Sequence, residues 1–333
     1  MKPITRVRTG NGRRGWSAVA AIGAAALMGA TVGAPAATAV PSGSGGLGSS
    51  DLGSAGIGSV AVVEEPFPEL GWANDPECVP APEHPQPVLL IHGTWSSAED
   101  MKALATPLVD AGYCVHSLEY GWHRESVRGN VPGTNGVGDV RESAAAVDRA
   151  IRYVAGETAA GRAAGAVDVI GHSQAAALMR LAMNDHGAAE FVDDAIYLAG
   201  THRGTSMDGL DQLNLHSSSA AVAVGDAVLG PAALQQLNGS DVVAHLESLP
   251  DTQPGVDYTV LASVDDTTAS TAPGAFLEAG PGATVTNALI QDVCPAAPSP
   301  FTHDHMRDHP IVHGLVLEAL AGRPVVCAPA ELG

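Results

Sequence analysis

Residues 166–184 read AVDVIGHSQAAALMRLAMN, and this stretch decides the fold. A short apolar run ends at Gly171-His172-Ser173-Gln174-Ala175, and residues 175–184 continue with the composition of a helix. A serine at a tight strand-to-helix turn is exposed, and the amino end of the helix points at its hydroxyl. The stretch therefore predicts a buried strand, a sharp turn and a helix, with Ser173 as a nucleophile. The alternative interpretation is an ordinary serine that caps a helix.

Further apolar runs alternate with helical patterns on both sides of this stretch. The runs cover 87–91, 113–118, 194–199 and 257–262. Repeated alternation of this kind is typical of an α/β fold, a mostly parallel central sheet with helices on both faces. The segment 207–250 interrupts the alternation. We expect it to be either a cap or lid over the carboxyl edge of the sheet, where α/β enzymes bind ligands, or a surface excursion without function.

A second motif, His92-Gly93-Thr94, follows the strand 87–91. When a serine attacks a carbonyl, negative charge develops on the carbonyl oxygen, and backbone N–H groups stabilise it. The loop after an early strand supplies one such group, and the residue after the nucleophile supplies the other. We therefore predict Thr94 and Gln174 as the oxyanion donors.

The remaining parts of such a site are a carboxylate and a histidine that takes the serine proton. Strand 257–262 is followed by an acidic turn, in which Asp266 is the preferred acid and Asp265 the alternate. The loop near the C-terminus is rich in histidine, and here His305 is preferred and His303 is the alternate. No second group of metal ligands accompanies these histidines. We therefore predict a site without a metal or an organic cofactor.

The first 39 residues have the composition of an export signal. Five basic residues precede an apolar run that is short and interrupted by glycines, and Ala37-Thr38-Ala39 is a small-residue cleavage site. Residues 40–76 are predicted to be a linker rich in Gly and Ser, and 77–330 a catalytic domain. We expect a secreted chain, exported by the general or the twin-arginine route, with no stable membrane insertion.

The charge of the chain restricts its partners. Removal of residues 1–39 would change the formal net charge from −20 to −25, because that segment holds five of the 16 basic residues and no acidic one. Such a surface repels nucleic acid and anionic membranes. We expect a monomer that acts on a neutral small-molecule ester or lipid.

All four cysteines, Cys78, Cys114, Cys294 and Cys327, lie in the part of the chain that would be exported. An even number in an oxidising compartment predicts two disulfides, for which three pairings exist. Pairing of neighbours would join Cys78 to Cys114 and Cys294 to Cys327. The spacing has no Cys-x-x-Cys pair, which argues against zinc.

Together these motifs resemble the secreted class 2 lipases, relatives of the lipase B type of α/β-hydrolase. The resemblance spans about 78–321 and depends on HPQPVLLIHGT, GYCV, VIGHSQA, THRGT, YTVLAS and DVCP, in that order. It implies an α/β-hydrolase fold and a carboxylic ester hydrolase with Ser173, Asp266 and His305 as its triad. It also implies Thr94 and Gln174 as oxyanion donors and pairs Cys78 with Cys114. The sequence departs from the family pattern at Ala175, where glycine is usual, and at Thr267-Thr268, where aliphatic residues are usual.

Two other functions fit the same motifs. One is another kind of serine hydrolase, such as an amidase, a thioesterase or a polyester hydrolase. The other is a binding protein that keeps the fold without catalysis, because a fold does not determine a function.

Overall fold

The structure is a computed structural model that describes residues 66–269, 274–298 and 300–327. The predicted signal, 1–39, and most of the predicted linker, 40–76, lie outside the described residues. No helix within the described ranges is both long enough and apolar enough to cross a membrane.

The core of the molecule is a six-stranded sheet in which every strand is parallel to its neighbours, in the order β2-β1-β3-β4-β5-β6. The strands are β1 (Val88–Ile91), β2 (Val115–Leu118), β3 (Val167–His172), β4 (Val192–Leu198), β5 (Asp257–Ala262) and β6 (Thr284–Leu289). Parallel strands are joined by crossovers that cover both faces, and so β1 is apolar and buried at every position. The predicted mostly parallel α/β sheet is confirmed.

Helices pack on both faces of the sheet. They are α1 (Lys102–Asp110), α2 (Val140–Glu157), α3 (Ala159–Ala164), α4 (Gln174–Asp185), α5 (Ser219–Leu229), α6 (Pro231–Gln236), α7 (Asp241–Ser248), α8 (Ile290–Val293), α9 (His305–Asp308) and α10 (Pro310–Leu320). Leu89 and Ile91 of β1 pack in the core layer that holds α2 and α4. Val88 and Leu90 pack in the opposite layer, with α1 and α10. Successive side chains thus point to opposite faces of the sheet, as the strand period requires.

The edge strand β2 is covered by residues that the sequence assigned to the linker. The side chain of Asn74 donates to the carbonyls of Pro68 (2.9 Å) and Ser117 (3.1 Å), and its Oδ1 accepts from the N–H of Ser117 at 2.7 Å. Phe67 packs on the ring of Tyr153 at 5.0 Å between centroids. Residues 66–76 therefore belong to the folded unit, and the predicted linker boundary at 76 is corrected.

The segment 207–250 is largely helical, and its helices are buried to different extents. Val242 and Leu246 of α7 lie in the main core with Ala232 of α6. In α5, by contrast, only Gly225 is buried. The second half of the predicted cap is therefore integrated with the core.

Two disulfides close the two sides of the sheet. Cys78 is bonded to Cys114, directly before β2, with 5.8 Å between their Cα atoms. Cys294, directly after α8, is bonded to Cys327 with 5.2 Å between Cα atoms. This is the neighbour pairing.

Candidate active site

Ser173 occupies the turn between β3 and α4. Its backbone has φ 58° and ψ −121°, a conformation that few residues other than glycine adopt. Its N–H donates to the carbonyl of Leu198 at 2.9 Å, and its carbonyl accepts from Thr201 at 3.2 Å. The turn is therefore fixed by the end of β4, and Ser173 lines a cavity at the carboxyl edge of the sheet.

Small residues allow the chain to pass close to this turn. A Cβ added to Gly93 would lie 2.9 Å from the Cβ of Ser173, and one added to Gly171 would lie 2.4 Å from the sulfur of Met179 and 2.9 Å from the Cβ of Ala175. Only glycine fits at either position. Ala175, which departs from the family pattern, is accommodated because Gly171 leaves space for its methyl group.

His303, the alternate histidine, contacts the preferred acid. Its Nδ1 donates to Oδ2 of Asp266 at 2.8 Å, and it lines the same cavity as Ser173. His305 begins α9 in an exposed position, where its Nδ1 donates to the carbonyl of Pro300 at 2.8 Å. The preference for His305 over His303 is therefore corrected by the contact with Asp266.

The carboxylate of Asp266 is buried but well supplied with donors. Besides His303, it accepts from the backbone N–H groups of Thr268 (2.8 Å) and Ala269 (3.0 Å). Burial acts to raise the pKa of Asp266, but the hydrogen bonds and the charge of His303 outweigh it, and the pKa is held below its usual value. Asp266 is therefore suited to remain ionised beside the imidazole.

Asp265, the alternate acid, serves the loop rather than the imidazole. Its Oδ2 accepts from the N–H of Phe301 at 2.9 Å and from Nε2 of Gln291 at 3.1 Å. These bonds join the turn after β5 to the start of the histidine loop, two residues before His303.

His172 contacts both the backbone and the ring of His303. Its Nε2 donates to the carbonyl of His303 at 3.0 Å, and the two rings lie 4.8 Å apart. Because a carbonyl can only accept a hydrogen bond, Nε2 carries the proton, and Nδ1 is buried without a hydrogen-bond partner. Burial, followed by the positive charges of His303 and Arg307, holds the pKa of His172 well below its usual value. The sequence analysis did not identify this contact.

The predicted oxyanion donors border the turn. Gln174 is the first residue of α4, so its N–H has no acceptor within the helix. Its side chain is buried, with Oε1 accepting from the hydroxyl of Tyr120 at 2.9 Å. Thr94 lines the cavity, and its Oγ1 accepts from Nε2 of Gln236 at 2.8 Å. Gln236 in turn accepts from the hydroxyl of Thr201 at 2.9 Å. The sequence did not single out Gln236, which ends α6 and has no motif around it.

The cavity has a volume of about 380 Å³. It is formed by the loop after β1, the turn at Ser173, the histidine loop and the start of the segment 207–250 at Met207 and Asp208. Of the seven non-glycine residues with positive φ in the described ranges, four line this cavity: Trp95, Ser173, Met207 and Asp208. Backbone strain of this kind is concentrated at functional sites.

Three carboxylates at the other end of the sheet are close enough to hold a metal ion. The ligand atoms of Asp168, Asp193 and Asp194 lie within 4.8 Å of one another at the starts of β3 and β4. Asp168 accepts from the N–H of Asp194 at 3.2 Å, and Asp193 accepts from Gln86 at 2.8 Å. This group is remote from Ser173, which lies at the opposite end of β3.

Comparison with known proteins places the fold. No family model matches the chain, and no curated protein matches it. Among solved structures it is similar to Aspergillus fumigatus lipase B, with a TM-score of 0.54 and 22% identity over 71% of this chain and 52% of that one. The chain thus spans about half the length of that lipase.

The chain is also similar to the mature form of the Bacillus licheniformis lipase BlEst2, with a TM-score of 0.51 and 16% identity over 74% of this chain and 96% of that one. A third similar structure belongs to the metagenome-derived lipolytic enzymes LipS and LipT, at 15% identity and a TM-score of 0.51 over 75% of this chain and 99% of that one. At these identities the likeness shows the α/β-hydrolase fold alone.

Proposed function

We propose that this chain is a serine hydrolase that cleaves carboxylic esters. Ser173 is the nucleophile, His303 the base, Asp266 the residue that orients the base, and Thr94 and Gln174 the oxyanion donors. The observation that carries the proposal is the Asp266–His303 hydrogen bond of 2.8 Å on the wall of the cavity that Ser173 also lines.

The first half-reaction follows from these contacts. Because Nδ1 of His303 donates to Asp266, Nε2 is the atom left to take the proton of Ser173. The serine oxygen then bonds to the ester carbonyl, and the backbone N–H groups of Thr94 and Gln174 stabilise the oxyanion. The C–O bond to the alcohol breaks, and the alcohol leaves with the proton from His303.

The second half-reaction repeats these steps with water. Nε2 of His303 takes a proton from the water molecule, whose oxygen attacks the acyl carbonyl. The acyl–oxygen bond to Ser173 breaks, the proton returns to the serine oxygen, and the carboxylic acid is released. Asp266 remains a carboxylate throughout and stabilises the imidazolium.

Thr94 is suited to provide a third donor. Its Oγ1 already accepts from Gln236, which leaves the hydroxyl proton free to donate. The side chain of Thr94 and the two backbone N–H groups would then stabilise the same developing charge.

The setting of the enzyme is part of the proposal. We propose that residues 1–39 direct export and are removed after Ala39, and that the catalytic domain acts outside the cell as a monomer on small-molecule or lipid esters. Two disulfides fit an extracellular protein. The motifs and the strand–turn–helix at Ser173 favour a relation to the secreted class 2 lipases.

A fluorophosphonate probe tests the nucleophile. We expect one phosphonyl group on Ser173, detected by mass spectrometry, together with hydrolysis of nitrophenyl esters. Ser173→Ala should abolish both signals. Ser217→Ala, which changes an exposed serine of the cap, is the matched control and should abolish neither.

Labelling, together with the rates on esters, amides and thioesters, separates the competing functions. Hydrolysis of amides or thioesters at a higher kcat/KM than oxygen esters would favour another type of serine hydrolase. Absence of both labelling and hydrolysis in a folded protein would contradict the enzyme proposal and favour a binding protein.

A further inference from the structure

The wall of the cavity beside Ser173 is polar and charged. Only Trp95 and Met207 contribute large apolar side chains to it. Five charged side chains line it: Asp100, Arg128, Asp208, Asp304 and Arg307. A long alkyl chain in this cavity would remove water from charged groups without replacing their hydrogen bonds, which is unfavourable. The cavity therefore fits a short substrate with polar groups of its own.

Two of the acidic side chains already accept hydrogen bonds from neighbouring protein groups. Oδ1 and Oδ2 of Asp208 accept from the hydroxyls of Thr267 (2.6 Å) and Thr268 (2.9 Å). Oδ2 of Asp100 accepts from the hydroxyl of Ser96 at 2.8 Å and the N–H of Ser97 at 2.9 Å. These hydrogen bonds disperse the negative charge that the two carboxylates present to the cavity.

The charge of Arg307 is also paired within the protein. Its Nε and Nη2 donate to the two carboxylate oxygens of Asp308 at 2.7 Å and 2.8 Å. Burial acts to lower the pKa of Arg307, but the bond to Asp308 and the charges of Asp304 and Asp100 raise it above its usual value. The positive charge of Arg307 is thus paired within the protein, among acidic side chains that outnumber it.

Arg128 differs from Arg307 because it has no acidic partner among the residues that the structure describes. Its guanidinium lies 5.3 Å from the ring centroid of Trp95. Nε1 of Trp95 donates to the carbonyl of Leu229 at 2.9 Å, which fixes the ring. Trp95 directly follows Thr94, and Arg128 lines the same cavity as both of them.

We propose that Arg128 binds a carboxylate of the substrate, and that the enzyme prefers short-chain esters that carry a free carboxylate, such as half-esters of dicarboxylic acids. This inference depends on the ester hydrolysis at Ser173 proposed above. A guanidinium presents paired N–H groups that match the two oxygens of a carboxylate. A volume of about 380 Å³ lies towards the lower end of ligand pockets, which span ~300–1,000 Å³, and it suits such a small ester.

The attraction must be local, because the chain as a whole is acidic with a formal net charge of −20. Its long-range field repels an anionic substrate, whereas an ion pair at Arg128 acts within a few ångström. Salt screens this long-range repulsion more than the close contact at Arg128, so added salt should increase kcat/KM for the anionic ester.

Two esters of similar shape test the inference. Nitrophenyl hemisuccinate ends in a carboxylate, and nitrophenyl 4-methylpentanoate has an isopropyl group in its place. We expect the wild-type kcat/KM to be several-fold higher for the hemisuccinate. In Arg128→Gln the ratio of the two kcat/KM values should decrease about 3- to 10-fold, the size expected for a charge-assisted contact in a partly exposed position. Arg128→Glu should decrease it further.

The control is Arg149→Gln, which removes an exposed arginine from α2, remote from the cavity. It should leave the ratio at the wild-type value, and melting temperatures will show that each variant is folded. A ratio that is equal in wild type and Arg128→Gln, with both esters hydrolysed, would overturn the role of Arg128 and leave the esterase proposal intact. Failure of folded wild-type protein to hydrolyse either ester would overturn both.

Discussion

The backbone of Ser173 is unfavourable for an L-residue, and the fold compensates for it. A backbone held in such a sparsely populated region costs of order 1–3 kcal/mol for a residue with a Cβ. Hydrogen bonds from the end of β4 and the close approach of Gly93 hold the turn in place. Trp95, whose ring lies against the guanidinium of Arg128, also has a positive φ of 57°. Backbone strain is therefore located at the cavity where we propose that the substrate binds.

The two histidines of the last loop give a direct test of the base. His303→Ala should lower kcat/KM by a factor of about 10³ or more, because Ser173 would lose the group that takes its proton. His305→Ala should lower it less than about 3-fold, since His305 is exposed and bonded to Pro300. Kinetics on a nitrophenyl ester, with circular dichroism to verify folding, measures both. A larger loss in His305→Ala than in His303→Ala would contradict the assignment.

The hydroxyl of Thr94 can be tested separately from its N–H. Thr94→Val keeps the shape and the backbone donor but removes the hydroxyl, and we expect kcat to decrease by a factor of about 10² with little change in KM. The reason is that an oxyanion exists only in the transition state. Thr94→Ser retains the hydroxyl and is the matched control. An unchanged kcat in Thr94→Val would show that the backbone donors act without the side chain.

The sequence predicts some residues of this site better than others. The position of Ser173 is dictated by a local strand–turn–helix motif, and Asp266 follows the end of a clearly apolar strand. His303 and His305 lie two residues apart in a loop that has no hydrophobic period, so no sequence pattern distinguishes them. Gln236 reaches Thr94 only through tertiary packing, 142 residues along the chain.

The strands differ in how clearly the sequence predicts them. Strand β1 is entirely apolar, and β3, β4 and β5 each contain an apolar run, because both faces of these strands are covered. The edge strand β2 reads VHSL, in which two polar residues lie between apolar ones. The edge strand β6 reads TVTNAL and has exposed positions at Thr284, Thr286 and Asn287, so it lacks the apolar run that identified the others. The segment 66–76 was missed for a related reason: its contacts with β2 depend on the side chain of Asn74, a residue common in loops.

The starts of β3 and β4 make stability depend on pH. Burial, then the charges of Asp193 and Asp257, raise the pKa of Asp194 to about 7. Burial, then the charge of Asp194, raises the pKa of Asp168 well above its usual range. A carboxyl with a raised pKa in the folded state stabilises the fold below the unfolded-state pKa of about 4, and this stabilisation is lost as the pH rises through about 7.

Asp194→Asn should therefore reduce the loss of stability that the wild type shows as the pH rises. We expect a melting temperature a few degrees above that of the wild type at pH 8 and close to it at pH 4, because the amide is neutral at both. Differential scanning calorimetry across this range measures the effect. Asp110→Asn, at an exposed position of α1, is the control and should not change the pH dependence. A variant that is less stable than the wild type at pH 8 would refute the prediction.

At the scale of the molecule, one buried arginine adds polar contacts between the core and the end of the segment 207–250. Arg180 of α4 is fully buried and donates to the carbonyls of His202 (2.9 Å), Leu246 (3.1 Å) and Leu249 (3.1 Å). It also forms an ion pair with Asp251 at 3.1 Å. These bonds hold the carboxyl end of α7 against α4. Leu246 and Leu249, at the end of the segment 207–250, are therefore fixed to the core.

The disulfides stabilise the two sides of the sheet to a similar extent. Their half-cystines are separated by 36 and 33 residues. For loops of this length the chain-entropy model gives about 3–4 kcal/mol each. Cys294→Ala with Cys327→Ala should therefore lower the melting temperature by roughly 6–16 °C, at 2–4 °C per kcal/mol for a domain of this size. Cys78→Ala with Cys114→Ala should lower it by a similar amount.

Equal effects of the two double variants are expected only if both disulfides act on the unfolded chain. Cys294 lies in the apolar layer with Phe301 and Met306, next to the histidine loop, so loss of its bond acts close to His303 as well. We therefore expect the Cys294/Cys327 variant to lose activity at a lower temperature than it unfolds, whereas the Cys78/Cys114 variant should lose both together. Activity and circular dichroism followed over the same temperature ramp distinguish these outcomes. Coincident transitions in both variants would mean that the second disulfide stabilises the fold without positioning the base.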